Sequence, residues 1–284
     1  MRYGFHVSIA GGLHKAIDEA ELRKCETFQI FSRNPQGWRF KELAPEDVAE
    51  FRAGVARLDI VPVVVHMPYL ANIGAPSKTL YKKSVESVAV DLARCAQIGA
   101  QYLVMHMGRS KASSEKDLVC RMAKGIDSAY ALARRKARAA ELPRLLLENT
   151  ASMPADFRPL RAVIRAVKKT SPIGVVLDTA HLFEAGRELR TKAGLDQTLR
   201  DFDVQVGLQW LYLLHLNDSK TDIGSHFDRH WHIGRGKIGK VGFRLIVNHP
   251  LLRHLPGVME TPRLGVKEDL MNLRAITALT RPVR

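Results

Sequence analysis

The chain has 284 residues, more than the ~100 to 200 typical of one domain but within reach of a single α/β barrel, which often runs to about 250. Hydrophobic residues make up 46% and charged residues 26%, proportions that exclude wholesale disorder, and 44 Lys and Arg against 29 Asp and Glu leave a formal charge of +15. No apolar run approaches the ~18 residues of a membrane span, and Met1-Arg2-Tyr3-Gly4-Phe5-His6 lacks a signal-peptide core, so a cytoplasmic protein without membrane contact is expected.

Strands are expected at residues 3–7, 27–31, 61–66, 102–106, 144–148, 173–178, 211–216 and 257–260. Between them, helical spacing covers 13–24, 45–58, 78–98, 114–134, 157–169, 197–207 and 241–247. A last helix over 266–279 is expected to pack across the barrel before a basic tail ending at Arg284. Eight strands separated by helices predict a single domain over 1–284, a closed (β/α)8 barrel of the TIM type; an open doubly wound sheet is the alternative. Cys25, Cys95 and Cys120 have no paired spacing, and the helical setting of Cys95 and Cys120 predicts buried free thiols.

Six of the apolar runs end in a side chain able to bind a metal: His66, His106, Glu148, Asp178, His215 and Glu260. Buried parallel strands read as such runs, so all six groups fall at strand carboxyl ends, where barrel chemistry gathers. One histidine after an apolar run is usually a satisfied core residue, but six strand ends with the same chemistry point to a shared polynuclear metal centre. Asp178-Thr179-Ala180-His181 and Asp228-Arg229-His230 add further donors at short spacing. Imidazole and carboxylate without thiolate suit Zn²⁺ or Mn²⁺, and five histidines favour zinc.

The positive charge favours a polyanionic partner, because neutralising phosphates releases counterions; solvated helix faces are the plainer account of the same charge. Loops at 32–39, 67–74 and 217–240 are expected on the same face as the donors. Trp38, Tyr69 and Leu70, beside Arg33 and Arg39, suit a nucleic-acid surface, arginines for phosphates and apolar side chains for bases, with Gln36 and Arg229 on the same loops as further candidate contacts, although a loop aromatic can equally fold back onto the core. Gly11-Gly12 and the basic loop 234–237 are open to phosphate contact or to none, and His6 to orienting a ligand or to an ordinary barrel hydrogen bond. His226, His232, His249 and His254 receive no role.

With these motifs assembled, the sequence resembles the endonuclease IV family of apurinic/apyrimidinic DNA repair enzymes. The matching segments span nearly the whole chain in the family's order. They include Phe5-His6-Val7-Ser8-Ile9-Ala10-Gly11-Gly12-Leu13, Leu147-Glu148-Asn149-Thr150, His215-Leu216-Asn217-Asp218-Ser219-Lys220 and Met259-Glu260-Thr261-Pro262. The resemblance implies three zinc ions, with Mn²⁺ as a possible substitute. The implied sets are His66, His106 and Glu148; Glu148, Asp178, His215 and Glu260; and His181, Asp228 and His230. Glu148 would bridge two ions and act with a metal-bound hydroxide. The implied reaction is hydrolysis of the phosphodiester 5′ to an abasic site in double-stranded DNA, leaving a 3′-hydroxyl and a 5′-deoxyribose phosphate, by a monomer. Flipping is cheap at such a site, since no base pair has to be broken.

The chain departs from the family pattern at two places. Gln36 stands where an arginine is common, followed by a change at Gly37, and Ala151-Ser152-Met153-Pro154-Ala155-Asp156 replaces a glycine-rich stretch. With all nine metal positions intact, the expectation is a retained hydrolytic centre with altered DNA handling. The rivals are a metal-dependent sugar isomerase or epimerase on a similar barrel, which needs fewer ligands and no basic surface, and a non-catalytic DNA-binding protein, which has no use for Glu148 and Glu260.

Overall fold

A computed structural model of the chain describes residues 1–108, 113–137, 141–152, 155–262 and 265–280. The expectations for Met153-Pro154 and for the tail after residue 280 lie outside the described residues. Seven parallel strands follow in chain order: β1 (Tyr3–His6), β2 (Thr27–Phe31), β3 (Val63–His66), β4 (Tyr102–His106), β5 (Arg144–Glu148), β6 (Ile173–Asp178) and β7 (Leu211–His215). The chain then makes an antiparallel hairpin of β8 (Asp218–Ser219) and β9 (His230–Trp231) before β10 (Gly257–Met259) pairs with β7 and β1 and closes the ring. The eight barrel strands stand in sequential order, so the sheet has no free edge.

The helices are α1 (His14–Leu22), α2 (Pro45–Arg57), α3 (Lys78–Ile98), α4 (Glu115–Ala137), α5 (Arg158–Ala166), α6 (Thr179–Glu184), α7 (Lys192–Gln205), α8 (Gly239–Asn248) and α9 (Val266–Leu279). The boundaries of α3 have visible causes. Ser77 Oγ accepts from the Leu80 amide at the start, and Gly99 at φ 77° ends the helix in the left-handed region. Strand β3 starts at Val63, not at 61, since Pro62 has no N–H to give to the ladder.

Side-chain alternation along the strands builds the site. Val64, Val104, Leu146, Val176, Leu213 and Val258 form one buried cluster inside the barrel. Each lies two residues before one of the six strand-end donors, so the period of two stacks those donors in a polar layer directly above an apolar one. Neighbours of opposite phase, such as Val63, Val65, Leu103, Met105, Leu145, Leu147, Val175 and Leu177, belong to the larger core under the helices. The floor of the cavity is thus dry and close-packed, which fixes donor positions to the strands.

Two expectations are corrected. Helix α9 does not cross the barrel; it packs on the outside against α8 and β1, where Ile276 and Leu279 are buried and Asp269 takes the Arg23 guanidinium at 2.6 Å. Cys120 is exposed on α4 while Cys25 and Cys95 are buried, because residue 120 falls on the outer face of that amphipathic helix.

Candidate metal centre

Six of the nine expected donors, His66, His106, His181, Asp228, His230 and Glu260, line a cavity of about 430 Å³ at the carboxyl ends of the strands, walled also by His6, Phe31, Tyr69 and Thr261, and the fully buried Glu148, Asp178 and His215 lie against them. Glu148 is at the centre of the group. His66 Nε2 and His106 Nε2 each lie 3.2 Å from its Oε2, and His215 Nδ1 lies 3.1 Å from its Oε1. Three groups have donor atoms within 4.8 Å of one another: His66, His106 and Glu148; Glu148, Asp178, His215 and Glu260; and Asp178, His181 and His230. Asp228 joins the third group from the rim, 3.2 Å from His181 Nε2 and 3.5 Å from His230 Nε2, with about half of its side chain exposed. The expected sets therefore assemble, with one refinement: Asp178 stands between the second and third groups as Glu148 stands between the first and second.

Most of the imidazoles are held from behind. His66 Nδ1 donates to the Met67 carbonyl at 2.7 Å, His181 Nδ1 to the Asn149 carbonyl at 2.9 Å and His230 Nδ1 to the Glu260 carbonyl at 3.3 Å, which leaves Nε2 of each facing the cavity. His215 donates through Nε2 to Gln29 Oε1 at 3.0 Å and turns Nδ1 inward. The same Gln29 carboxamide donates to Glu260 at 2.6 Å and to His6 Nδ1 at 3.0 Å, and Asn217 donates to Asp178 at 2.6 Å while accepting from the Glu260 amide at 2.7 Å. Gln29, Asn149 and Asn217 carry no spacing signal in the sequence, and their roles show only once the strands are side by side.

Among the described residues, none of the four carboxylates has a lysine or arginine within ion-pair distance; their charged neighbours are histidines. Burial opposes ionisation of Glu148, yet His215 and His106 hold its carboxyl well below the usual range. Glu260 follows the same pattern, with burial outweighed by His215 and His6. Burial lowers His215, but Glu260 and Glu148 push it up to about 9, and Asp178, Asp228 and Glu148 raise His181 against its own burial. Imidazoles and carboxylates packed at this density, with inward-facing nitrogens and no lysine or arginine beside them among the described residues, fit divalent metal ions.

Tyr69 and Leu70 are exposed at the mouth, where the Tyr69 ring meets Phe31 edge-on at 5.5 Å between centroids and lies 5.8 Å from His66. Gln36 and Arg229 are exposed, and Trp38 is half-buried in a side cleft with Phe40 and Lys83. Arg33 corrects the expectation of a DNA contact. It is buried, with its guanidinium on both oxygens of Asp91 at 2.9 to 3.3 Å, on Ser87 Oγ and on the Gly37 carbonyl, so it braces the loop from beneath. His6 Nδ1 lies 3.4 Å from Glu260 Oε1 and 3.0 Å from Gln29 Nε2, a position compatible with either of its two expected roles. In the basic loop, Lys237 pairs with Asp222, and Asp218 accepts the backbone amides of Gly236, Ile238 and Gly239. His226, His232 and His249 make ordinary contacts with the Ala151 carbonyl, Asn272 and Asp196.

Residues 17–276 match the family described as xylose isomerase-like TIM barrel. A probable endonuclease 4 of Methanosphaerula palustris is 41% identical over 286 residues, covering 99% of each chain. The chain belongs to the endonuclease IV family. Another probable endonuclease 4, of Halothermothrix orenii, is 40% identical over 280 residues, covering 96% of this chain and 99% of its own. The crystal structure of endonuclease IV from Thermus thermophilus superposes with a TM-score of 0.83 at 36% identity, covering 98% of both chains. The barrel family by itself also accommodates the sugar isomerase reading. Full-length identity to endonuclease IV proteins separates the two.

Proposed function

We propose that the protein is a metal-dependent DNA repair endonuclease that hydrolyses the phosphodiester 5′ to an abasic site, leaving a 3′-hydroxyl and a 5′-deoxyribose phosphate. Three zinc ions, with Mn²⁺ as a possible substitute, are held by His66, His106, Glu148, Asp178, His181, His215, Asp228, His230 and Glu260. The observation that carries this reading is the clustering of those nine side chains at the carboxyl ends of the strands, in a chain about 40% identical to full-length endonuclease IV relatives. When bound, ions of this kind lower the pKa of water and neutralise charge on a phosphate and its leaving oxygen.

The chain's own residues account for the rest. Glu148 holds the first two groups at a common carboxylate, and Gln29, Asn149 and Asn217 fix donor orientation before substrate arrives, which limits reorganisation during reaction. The apolar floor and the Phe31–Tyr69 edge keep bulk water from the buried side of the cavity. Arg229, exposed between Asp228 and His230, is offered to a backbone phosphate; Tyr69, Leu70, Trp38 and Gln36 occupy the surface that meets the helix beside the lesion. A charge of +15 draws the DNA polyanion to the protein.

A labelled duplex with one abasic site tests the proposal. Incision on the 5′ side, abolished by chelator and restored by zinc or manganese, is the expected result. Absence of incision in metal-replete protein, or incision indifferent to chelator, overturns it.

A further inference from the structure

Glu184 closes α6, three residues after the donor His181, and is fully buried with no role among the nine donors. Among the described residues it has no cationic partner, and its Oε2 has no hydrogen-bond partner at all. Its Oε1 accepts from Ser219 Oγ at 2.7 Å, from the Arg229 amide at 3.1 Å and from Thr221 Oγ1 at 3.4 Å. The backbone carbonyls of Phe183 and Glu184 take the amides of Gly224 at 3.1 Å and His226 at 2.9 Å. One helix end therefore grips the 219–229 segment at five points. Arg229 is the residue between Asp228 and His230.

From this juxtaposition we infer that Glu184 is a positioning residue for the third ligand group, holding the Asp228–His230 segment at the distance from His181 that lets the three side chains converge. The inference rests on the metal-centre reading proposed above. The two-residue strands β8 and β9 pin the ends of the segment and the Phe183, Glu184 and Ala151 carbonyls hold its middle, while the Glu184 carboxylate takes the amide of Arg229, the residue between the two donors. The contact acts on the third group alone, since neither the His66–His106 pair nor His215 touches α6 through Glu184. Glutamine has the same shape and keeps an oxygen for the Arg229 amide, so it preserves the contact that alanine removes.

Ion content by elemental analysis, and ion affinity by chelator competition, are compared in the full-length wild type, Glu184→Gln and Glu184→Ala, with cobalt absorption reporting coordination. In the alanine variant one of three ions should bind about 10- to 100-fold more weakly while the other two keep their affinity and spectrum. The glutamine variant should resemble the wild type. Unchanged affinity in the alanine variant, or equal loss of all three ions, overturns the positioning role. A wild type that takes up fewer than three ions overturns the metal-centre reading itself, and this inference with it.

Discussion

Glu148→Gln keeps the shape of the side chain and removes one negative charge from the point where two ligand groups meet. Glu148 is fully buried, and its oxygens lie 3.1 to 3.4 Å from nitrogens of His66, His106, His181 and His215. Breaking a buried charge pair by removing one partner costs about 3 to 5 kcal/mol. At about 1.4 kcal/mol per factor of ten, this corresponds to roughly 140- to 3,700-fold weaker binding of an ion that loses the carboxylate charge. Because Glu148 belongs to two groups, two of the three proposed ions should weaken together, and incision of an abasic duplex should fall by a comparable factor. The metal-free protein supplies an independent reading. Burial depresses His215, and Glu260 and Glu148 together lift it to about 9, so removing Glu148 should move its titration downward, as followed by imidazole nitrogen NMR. Undiminished turnover together with an unmoved His215 titration would refute the reasoning.

The raised His215 and His181 make ion uptake a proton-releasing event: His215, lifted to about 9, carries a proton at neutral pH without metal and His181 is shifted in the same direction, so affinity should climb as pH rises toward about 9. Calorimetry near neutral pH in two buffers of different ionisation enthalpy should give different heats, and equal heats would contradict this. The same shift sets a stability trend in chelator-treated protein. A folded-state pKa of about 9 above the ordinary 6.5 stabilises fully below 6.5 and is lost as pH rises through about 9, so the melting temperature should fall over that window; a flat profile counts against the assignment. Asp91→Asn should cost about 3 to 5 kcal/mol by stranding the buried Arg33 guanidinium, seen as a lower denaturation midpoint with ion content unchanged. Gln36→Arg should raise the ratio of abasic to intact DNA affinity at fixed salt, and an unchanged ratio would remove Gln36 from the probing surface.

Six of the nine donors were legible as strand ends, because a strand buried on both faces announces itself as an apolar run and its last residue as the break in that run, and the other three were legible only from short Asp-to-His spacings. Those three come from short elements with no period to read. Helix α6 is six residues long and capped by Asp178 itself, whose side chain accepts the His181 amide at 2.9 Å, so the Asp-to-His spacing was visible while the helix producing it was not. The amides that orient the donors were invisible for a different reason: Gln29, Asn149, whose side chain pairs with the Asp178 backbone, and Asn217 acquire meaning only from neighbours on other strands. Arg33 misled because a basic residue in a glycine- and proline-containing loop reads as solvated. Its partner Asp91 lies on α3, more than fifty residues away, within a helix whose apolar residues dominate the pattern.

The division between strand-borne and added donors also bears on how a barrel shared with sugar isomerases would serve a polymer. The strand ends supply His66, His106, Glu148, Asp178, His215 and Glu260 above a closed apolar layer, a site deep enough for a small molecule and sufficient for two ligand groups. His181, Asp228 and His230 come from α6 and the β8–β9 hairpin, and they carry the centre from the buried barrel mouth to the rim, where Asp228 is half exposed and Arg229 beside it is open to solvent. A phosphodiester in duplex DNA cannot descend to the floor of a barrel, but one extruded at an abasic gap can reach a rim group while its neighbours stay outside. On the proposed reading, the hairpin is what fits an isomerase-type barrel to a nucleic acid. The buried anchor beneath that hairpin, Glu184, then matters to substrate class as much as to metal binding.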